Sequence, residues 1–210
     1  MLYKEAVDRE TLELLKNLQE KNYLQGFFLV GGTALALFYG HRKSVDIDLF
    51  SDFGFDTGRL LENLSSDFQF QLFFTAKNTI KGSINEIEVD IIAHRYPLIG
   101  QPMFSEGVSM LAVEDIAAMK LNAISISGQR VKDFIDIYFL LDRFSLGELI
   151  SFFKKKYAQY NEVNVLKSIT WFNDVILEEW PVMLKNKNLR WEDVKARIIR
   201  ETENYLKQLL

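Results

Sequence analysis

The chain has 210 residues, of which 48% are apolar and 26% are charged, and its formal net charge is −4. That length suits one domain or two small ones. The negative charge argues against coating of nucleic acid by bulk electrostatics but leaves room for a local basic groove. Without cysteine there is no disulfide, zinc–thiolate site or thiol nucleophile. No apolar run approaches membrane-spanning length and no signal-peptide pattern opens the chain, so we expect a cytoplasmic protein without a membrane partner.

Apolar periodicity in the first half of the chain predicts short strands interleaved with helices. The predicted helices are 8–21, 33–39 and 58–66, and the predicted strands are 27–30, 44–50, 68–75 and 85–93. Two of the three prolines fall within 96–108, which favours a loop there.

The second half carries helical patterns alone. Predicted helices cover 111–126, 131–141, 161–177 and 191–209, and a capping-box pattern, SLGE at 145–148, begins another. The separation of strand and helix signals predicts an α+β protein, with an α+β part over 1–110 and a helical part over 111–210 packed on it.

Two aspartates interrupt the predicted strand at 44–50. Alternate residues of a strand point to the same face, so Asp46 and Asp48 project together while Val45, Ile47 and Leu49 face the core. Neighbouring carboxylates repel each other unless a cation neutralises them, and hard oxygen ligands suit Mg²⁺ or Mn²⁺. The plainer alternative is an acidic outer face on a half-exposed strand.

Gly31 and Gly32 lie between a predicted strand and a predicted helix, in LVGGTALALFYG at 29–40. This arrangement places free backbone N–H groups and the positive end of a helix dipole where a phosphate can approach. Thr33 could cap the helix and offer a hydroxyl. A Gly-Gly pair alone is usually only a turn. Close to the two aspartates, it sets a phosphate cradle beside a metal site, as nucleotidyl or phosphoryl transfer needs.

The stretch GGTALALFYGHRKSVDIDLF resembles the opening motif of the polymerase-β-type nucleotidyltransferase superfamily, in which G-G or G-S precedes D-x-D. Together with AMKLNAI and R-x-KDFIDIYFLL, it is similar to the AbiEii/AbiGii toxin family of abortive-infection toxin–antitoxin systems and to the MenT toxins. The motifs cover 29–50 and 110–142. The resemblance implies a mixed nucleotidyltransferase sheet with flanking helices, followed by a helical bundle. It also implies transfer of an NMP from an NTP to an acceptor hydroxyl.

The same resemblance implies roles for the residues of the opening motif. Gly31 and Gly32 would hold the triphosphate, with Ser44 near the phosphates, and Asp46 and Asp48 would bind Mg²⁺ or Mn²⁺. Arg42, just before the acidic strand, could contact phosphate or be a solvated loop charge.

A third carboxylate is expected on a neighbouring strand. In EIEVDIIAH, Glu86, Glu88 and Asp90 share one face. Asp90 matches the superfamily pattern best and Glu88 is the second choice. The three acids could equally be the wet face of an edge strand.

Lys120 stands in a largely apolar predicted helix, so it requires a partner or a ligand unless it snorkels at the helix edge. The resemblance makes it a triphosphate ligand and a catalytic residue. Asp133 or Asp136 would orient it, with Asp133 favoured. Lys132 and Asp136, four residues apart, could instead be a surface ion pair.

Similar toxins modify tRNA acceptor ends, so the resemblance implies an NTP, a tRNA acceptor and a cognate antitoxin as partners. Lysines and arginines that could hold tRNA, or simply keep helices soluble, are Lys154, Lys155, Lys156, Lys185, Lys187, Arg190, Lys195, Arg197 and Arg200. The alternatives are a nucleotidyltransferase acting on a small molecule or a protein, and a non-catalytic partner that binds a nucleotide or an antitoxin.

Overall fold

In a computed structural model, residues 1–209 are described, and they contain one sheet of seven strands. The strands are β1 (Phe28–Leu29), β2 (Ile47–Ser51), β3 (Phe70–Ala76), β4 (Thr79–Ile84), β5 (Ile87–Ala93), β6 (Met103–Ser105) and β7 (Val108–Met110). Their order in the sheet is β3-β4-β5-β2-β1-β7-β6.

Eight α-helices lie in the same described residues. They are α1 (Arg9–Gln19), α2 (Gly31–Tyr39), α3 (Thr57–Asp67), α4 (Val113–Ile126), α5 (Val131–Leu140), α6 (Leu146–Lys156), α7 (Glu162–Ile169) and α8 (Trp191–Gln208). The predicted capping box before α6 is confirmed, since the Ser145 side chain accepts from the Glu148 amide and Glu148 accepts from the Ser145 amide.

The sheet is mixed, and its centre consists of β2 and β5. These two strands run parallel, whereas β1 pairs with β2 antiparallel and with β7 parallel. The β3–β4, β4–β5 and β6–β7 pairs are antiparallel. The α+β fold with a mixed sheet, predicted from the sequence, is confirmed.

Three strands and one helix end differ from the sequence prediction. β4 was not predicted, and β6 and β7 form a short hairpin where a loop was expected. Glu106 and Gly107 make the turn of that hairpin with positive φ angles of 53° and 85°. β6 and β7 have three residues each, which is too short for an alternation of apolar and polar residues to be visible. The prolines near them therefore favoured a loop in the sequence prediction. The helix predicted at 161–177 ends at Ile169.

The helices that follow the sheet are organised around α4. This helix contacts α2, α5, α6 and α7, so it is surrounded on most sides by other helices. Its buried residues include Ile116, Ala117, Ala118, Leu121 and Ile124, and the small alanines allow close approach. The helical part thereby packs on the sheet-containing part through α2. Within residues 1–209, no helix is both long and apolar enough to span a membrane.

A buried ion pair ties α6 to the first turn of α4. The Lys156 ammonium lies 2.7 Å from Asp115 Oδ1 and donates to the Pro97 carbonyl. Asp115 also accepts from the amides of Ile99 and Gly100. Both suggested roles of Lys156, holding tRNA and solubilising the helix, are wrong, because this lysine is 1% exposed.

Replacing Lys156 with methionine is expected to lower the free energy of unfolding by about 3 kcal/mol, because Asp115 would stay buried without its cation. Urea unfolding at neutral pH measures the change. Lys155→Met, at the exposed neighbouring position, is the matched control and should change stability by less than about 0.5 kcal/mol. Equal losses in both variants would contradict a stabilising role for the ion pair.

Candidate active site

The Gly31–Gly32 turn at the start of α2 is shaped by two side chains that lie against it. Gly31 has a φ of +70°, and a Cβ there would be 2.1 Å from Asp48 Oδ2. A Cβ on Gly32 would be 2.2 Å from the Arg42 guanidinium. The glycines therefore allow a carboxylate and a guanidinium to approach the backbone at the positive end of a helix.

Asp48 lies on β2, and Asp46 immediately precedes this strand. Ile47 and Leu49 face the core, as predicted, but the prediction for Val45 is wrong, since its side chain is 49% exposed. The strand begins at Ile47, so the alternation does not extend back to Val45. Asp48 is paired in register with Asp90 on the parallel strand β5. The sheet thus places the predicted third carboxylate beside Asp48.

The surroundings of the Asp48 carboxylate disfavour its charged form. Burial and the charges of Asp90 and Asp46 raise its pKa from 3.8 to about 6, against the opposing effect of Lys120 and Arg130. Like charges next to a partly buried carboxylate make the binding of a cation there favourable. Mg²⁺ in nucleotide sites uses one or two carboxylates together with substrate phosphates, and Asp46 and Asp48 match that donor set.

Asp90 forms an ion pair with a lysine. Its carboxylate accepts a hydrogen bond from the Lys81 ammonium on β4. Glu88, the second choice for the third carboxylate, lies opposite Ser83 and is exposed. Among residues 1–209, no three His, Cys, Asp or Glu side chains are arranged as a ready-made metal site.

A buried network of hydrogen bonds and ion pairs centred on Asp136 supports the site. Asp136 binds Arg42 Nε at 2.7 Å, Arg42 Nη2 at 2.9 Å and His41 Nε2 at 2.8 Å. Its carboxylate is also 2.7 Å from Lys120 Nζ. Burial alone would raise the pKa of Asp136, but Arg42 and Lys120 outweigh it and hold the pKa well below the usual range. Arg42 is therefore a buried partner of Asp136 and is not a solvated loop charge.

Lys120 is bound by both candidate aspartates. Its ammonium is 2.7 Å from Asp133 and from Asp136. Because Lys120 is 6% exposed, it does not snorkel to solvent. Asp136 is occupied by these buried partners, so the alternative of a surface ion pair between Lys132 and Asp136 is wrong.

The Thr33 hydroxyl joins the turn to the acidic strand. It is buried, donates to the Asp46 carbonyl and lies 2.9 Å from the Ser44 hydroxyl. The predicted cap is wrong, since Val30 is the N-cap residue and no side chain caps α2. Thr33 and Ser44 instead fix the backbone at Asp46.

Two clefts meet at Gly32, Asp48 and Arg130. The first, named here the cationic cleft, has a volume of about 330 Å³ and is lined by Arg42, Lys43, Arg130, Lys132 and Trp180, among others. The second, named the apolar cleft, has a volume of about 320 Å³ and is lined by Phe50, Ile92, Met119, Lys120, His94 and Tyr157, among others. The turn and Asp48 can therefore be reached from two sides.

Sequence reasoning missed one wall of the cationic cleft. The wall is formed by Glu179, Trp180, Pro181 and Val182, which lie within residues 176–183, named here the closing segment. Its ends form bridges with Arg130 and Arg42, and the Lys43 amide donates to the Val182 carbonyl at 2.8 Å. Arg130 was also missed as a site residue, although it opens the R-x-KD motif. No periodic sequence pattern connects the closing segment with the glycine turn. The sequence therefore did not predict that this segment lies beside the turn.

Most of the suggested tRNA-binding cations have other partners. Ion pairs hold Lys154 to Glu162, Arg190 to Asp193, Lys195 to Glu192, Arg197 to Asp142 and Arg200 to Glu201. The Lys185 ammonium donates to the Tyr39 carbonyl and lies over the Tyr3 ring. These contacts favour the interpretation that the C-terminal helices carry ordinary surface charge.

A mixed sheet that presents adjacent carboxylates beside a glycine turn at a helix start defines the class of proteins that transfer phosphoryl or nucleotidyl groups. The family described as "Nucleotidyl transferase AbiEii toxin, Type IV TA system" matches residues 13–100 and 67–209. The chain belongs to this AbiEii family and is a nucleotidyltransferase. The resemblance recognised in its motifs is confirmed.

Known relatives share the whole length of the chain. An uncharacterised protein of Aquifex aeolicus, aq_aa25, is 30% identical over 204 residues, which cover 94% of this chain and 97% of that protein. JHP933 from Helicobacter pylori has a similar fold, with a TM-score of 0.57, 18% identity and coverage of 97% and 94% of the two chains. MenT4, a nucleotidyltransferase toxin of Mycobacterium tuberculosis, gives a TM-score of 0.55, 16% identity and coverage of 93% and 84%.

The raised pKa of Asp48 predicts that this residue destabilises the metal-free protein. Between pH 3.8 and about 6 the folded state binds more protons than the unfolded chain, so the stability contributed by Asp48 falls as pH rises through that window. Asp48→Asn should therefore be more stable than wild type by about 1–3 kcal/mol at pH 7.5. Urea unfolding in EDTA should show that gain shrinking below about 1 kcal/mol at pH 4.

Asp52→Asn, at an exposed position, is the control and should leave stability nearly unchanged at both pH values. A destabilised Asp48→Asn protein at pH 7.5 would contradict the electrostatic interpretation.

The Asp136 network predicts an asymmetry between the two aspartates that bind Lys120. Asp136→Asn should lower the free energy of unfolding by about 3–5 kcal/mol, because it leaves Arg42 and Lys120 buried with too little negative charge. Asp133→Asn should lower the free energy of unfolding by a smaller amount, because Lys120 keeps Asp136 as a partner. Urea unfolding of both variants tests the order, and a larger loss in Asp133→Asn would overturn it.

Proposed function

We propose that this nucleotidyltransferase moves an NMP from an NTP to the hydroxyl of a tRNA 3′ end, with Mg²⁺ or Mn²⁺, as the toxin of a cytoplasmic toxin–antitoxin pair. The observation that carries the proposal is the contact between the D-x-D strand and the glycine turn. A Cβ at Gly31 would fall 2.1 Å from Asp48 Oδ2. The amides proposed to bind phosphate and the carboxylate proposed to bind metal are thus adjacent.

The triphosphate is proposed to lie on the Gly31–Gly32 turn, where the first amides of α2 lack intrahelical partners. Cationic side chains surround this place. Arg130 lines both clefts, Lys120 lines the apolar cleft and Lys132 lines the cationic cleft. Arg42 is expected to act mainly by fixing the turn, because its guanidinium is bound to Asp136.

Asp46, Asp48 and Asp90 are the proposed metal ligands. A divalent cation bound there would polarise the α-phosphate and lower the pKa of the attacking hydroxyl. The like-charge effect of Asp46 and Asp90 on the Asp48 pKa supports this assignment, because a cation would relieve it. Lys120 is proposed to offset the charge that develops on the phosphates.

In the proposed reaction the acceptor hydroxyl oxygen attacks the α-phosphorus. A new phosphorus–oxygen bond forms, the bond between the α-phosphorus and its bridging oxygen breaks, and pyrophosphate leaves. Asp90 is proposed to accept the hydroxyl proton. No covalent intermediate with the protein is required.

The proposed acceptor and partner follow from the resemblance to the toxin family. A tRNA 3′ end is single-stranded and narrow enough to enter a cleft beside Asp48. The cations that line the cationic cleft, above all Arg130 and Lys132, would attract its phosphates. An antitoxin is the expected protein partner of a toxin of this family.

The test is transfer of label from each α-³²P NTP, with Mg²⁺, to total bacterial tRNA and to the protein itself. Asp48→Asn should abolish transfer while remaining folded, because it removes a charge that faces the cleft. Labelled RNA would establish the reaction and name both substrates. Labelled protein alone would redirect the proposal to protein modification, and near-normal transfer by Asp48→Asn would overturn the site.

Lys120→Ala should chiefly weaken nucleotide use, seen as a higher KM for the NTP. The variant also leaves Asp133 and Asp136 without their shared cation, so its fold must be checked by circular dichroism. A folded variant with an unchanged dependence of rate on NTP concentration would show that Lys120 is structural.

A further inference from the structure

Lys81 lies in one cross-strand row with two of the proposed metal ligands. In the antiparallel β4–β5 pair Lys81 is opposite Asp90, and in the parallel β5–β2 pair Asp90 is opposite Asp48. Residues that pair directly across strands share one face of the sheet. The ammonium of Lys81 donates to Asp90 Oδ2, so this carboxylate already holds a cation.

Asp90 is thus paired with a lysine, and no three His, Cys, Asp or Glu side chains among residues 1–209 form a ready-made metal site. One oxygen of the Asp90 carboxylate, Oδ2, already accepts a hydrogen bond from the Lys81 ammonium. The same pairing offsets part of the repulsion between the adjacent carboxylates of Asp90 and Asp48. Lys81 therefore provides the charge that a metal ion would provide.

We propose that Lys81 is a positioning residue that competes with the divalent cation for Asp90 and is displaced when the metal binds. The inference rests on the proposed metal-dependent function. It assigns Lys81 no contact with the reacting atoms.

The pair is weak enough to be displaced. Lys81 and Asp90 have side chains that are 43% and 25% exposed, and ion pairs at such exposure contribute little to stability. A divalent cation that interacts with three carboxylates has a far larger charge interaction available. The ion pair therefore lowers metal affinity by a small factor and does not prevent binding.

Lys77 offers a matched control on the same hairpin. It lies in the turn between β3 and β4 and is exposed, and it makes no ion pair among residues 1–209. Neutralising Lys77 changes the net charge of the protein by the same amount as neutralising Lys81. A difference between the two variants then reports on the Asp90 contact and not on overall charge.

The experiment is a titration of the full chain with Mn²⁺ alone, in which the EPR signal of free Mn²⁺ gives the dissociation constant. Lys81→Gln should bind Mn²⁺ about two- to fivefold more tightly than wild type, and Lys81→Arg should stay near wild type. Lys77→Gln should change the constant by less than about 1.5-fold. Circular dichroism confirms that each variant is folded.

Unchanged affinity in Lys81→Gln, or the same gain in Lys77→Gln, would overturn the inference. Weaker binding in Lys81→Gln would also overturn it, because Lys81 would then support the metal ligands. The proposed metal dependence fails in a different way, through absence of Mn²⁺ binding by wild type or equal binding by Asp48→Asn, and the inference would fall with it.

Discussion

The buried carboxylate of Asp136 is the contact on which the arrangement of the site depends. It receives His41 and Arg42 from the chain that follows α2, and Lys120 from α4, while it belongs to α5. One charge thus fixes three segments of the chain relative to one another. Since Arg42 in turn lies against Gly32, the position of the glycine turn depends on a residue more than 100 positions away.

The two glycines of the turn allow charged side chains to lie directly against the backbone. Each is covered by a polar side chain, Asp48 on Gly31 and Arg42 on Gly32. The turn is therefore placed between an anion and a cation that are both held by the protein. Such fixed dipoles and charges need no reorganisation when a ligand arrives, which is the general basis of electrostatic preorganisation.

Much of the fold and the centre of the site could be predicted from local patterns. The spacing of Asp46 and Asp48 gave a shared face, and the apolar surroundings of Lys120 correctly demanded a partner. Its two partners, Asp133 and Asp136, are the candidates that the motif had suggested. The contacts of Asp136 with His41 and Arg42 could not be predicted, because they join residues about 95 positions apart. Side chains at such separations are brought together by packing, and packing leaves no period in the sequence.

Errors in the prediction have similar physical causes. Val45 was assigned to the core because the alternation was extended past the start of the strand. Phe73 and Phe74 are large apolar residues of the predicted strand 68–75, and their side chains are 58% and 54% exposed. β3 is an edge strand, and although α3 contacts it, six of its seven residues are exposed. Hydrophobicity predicts burial only where another element is available to cover the residue.

The closing segment has a consequence for how the protein is made. All the sequence motifs of the site lie within residues 29–142, but one wall of the cationic cleft is residues 179–182 of the closing segment. During synthesis the chain leaves the ribosome from its N-terminus, so the glycine turn and the acidic strand emerge well before that wall. A nascent or truncated chain that ends before the closing segment carries the complete motif with an open cleft. This wall of the cationic cleft is therefore the last part of the site to leave the ribosome.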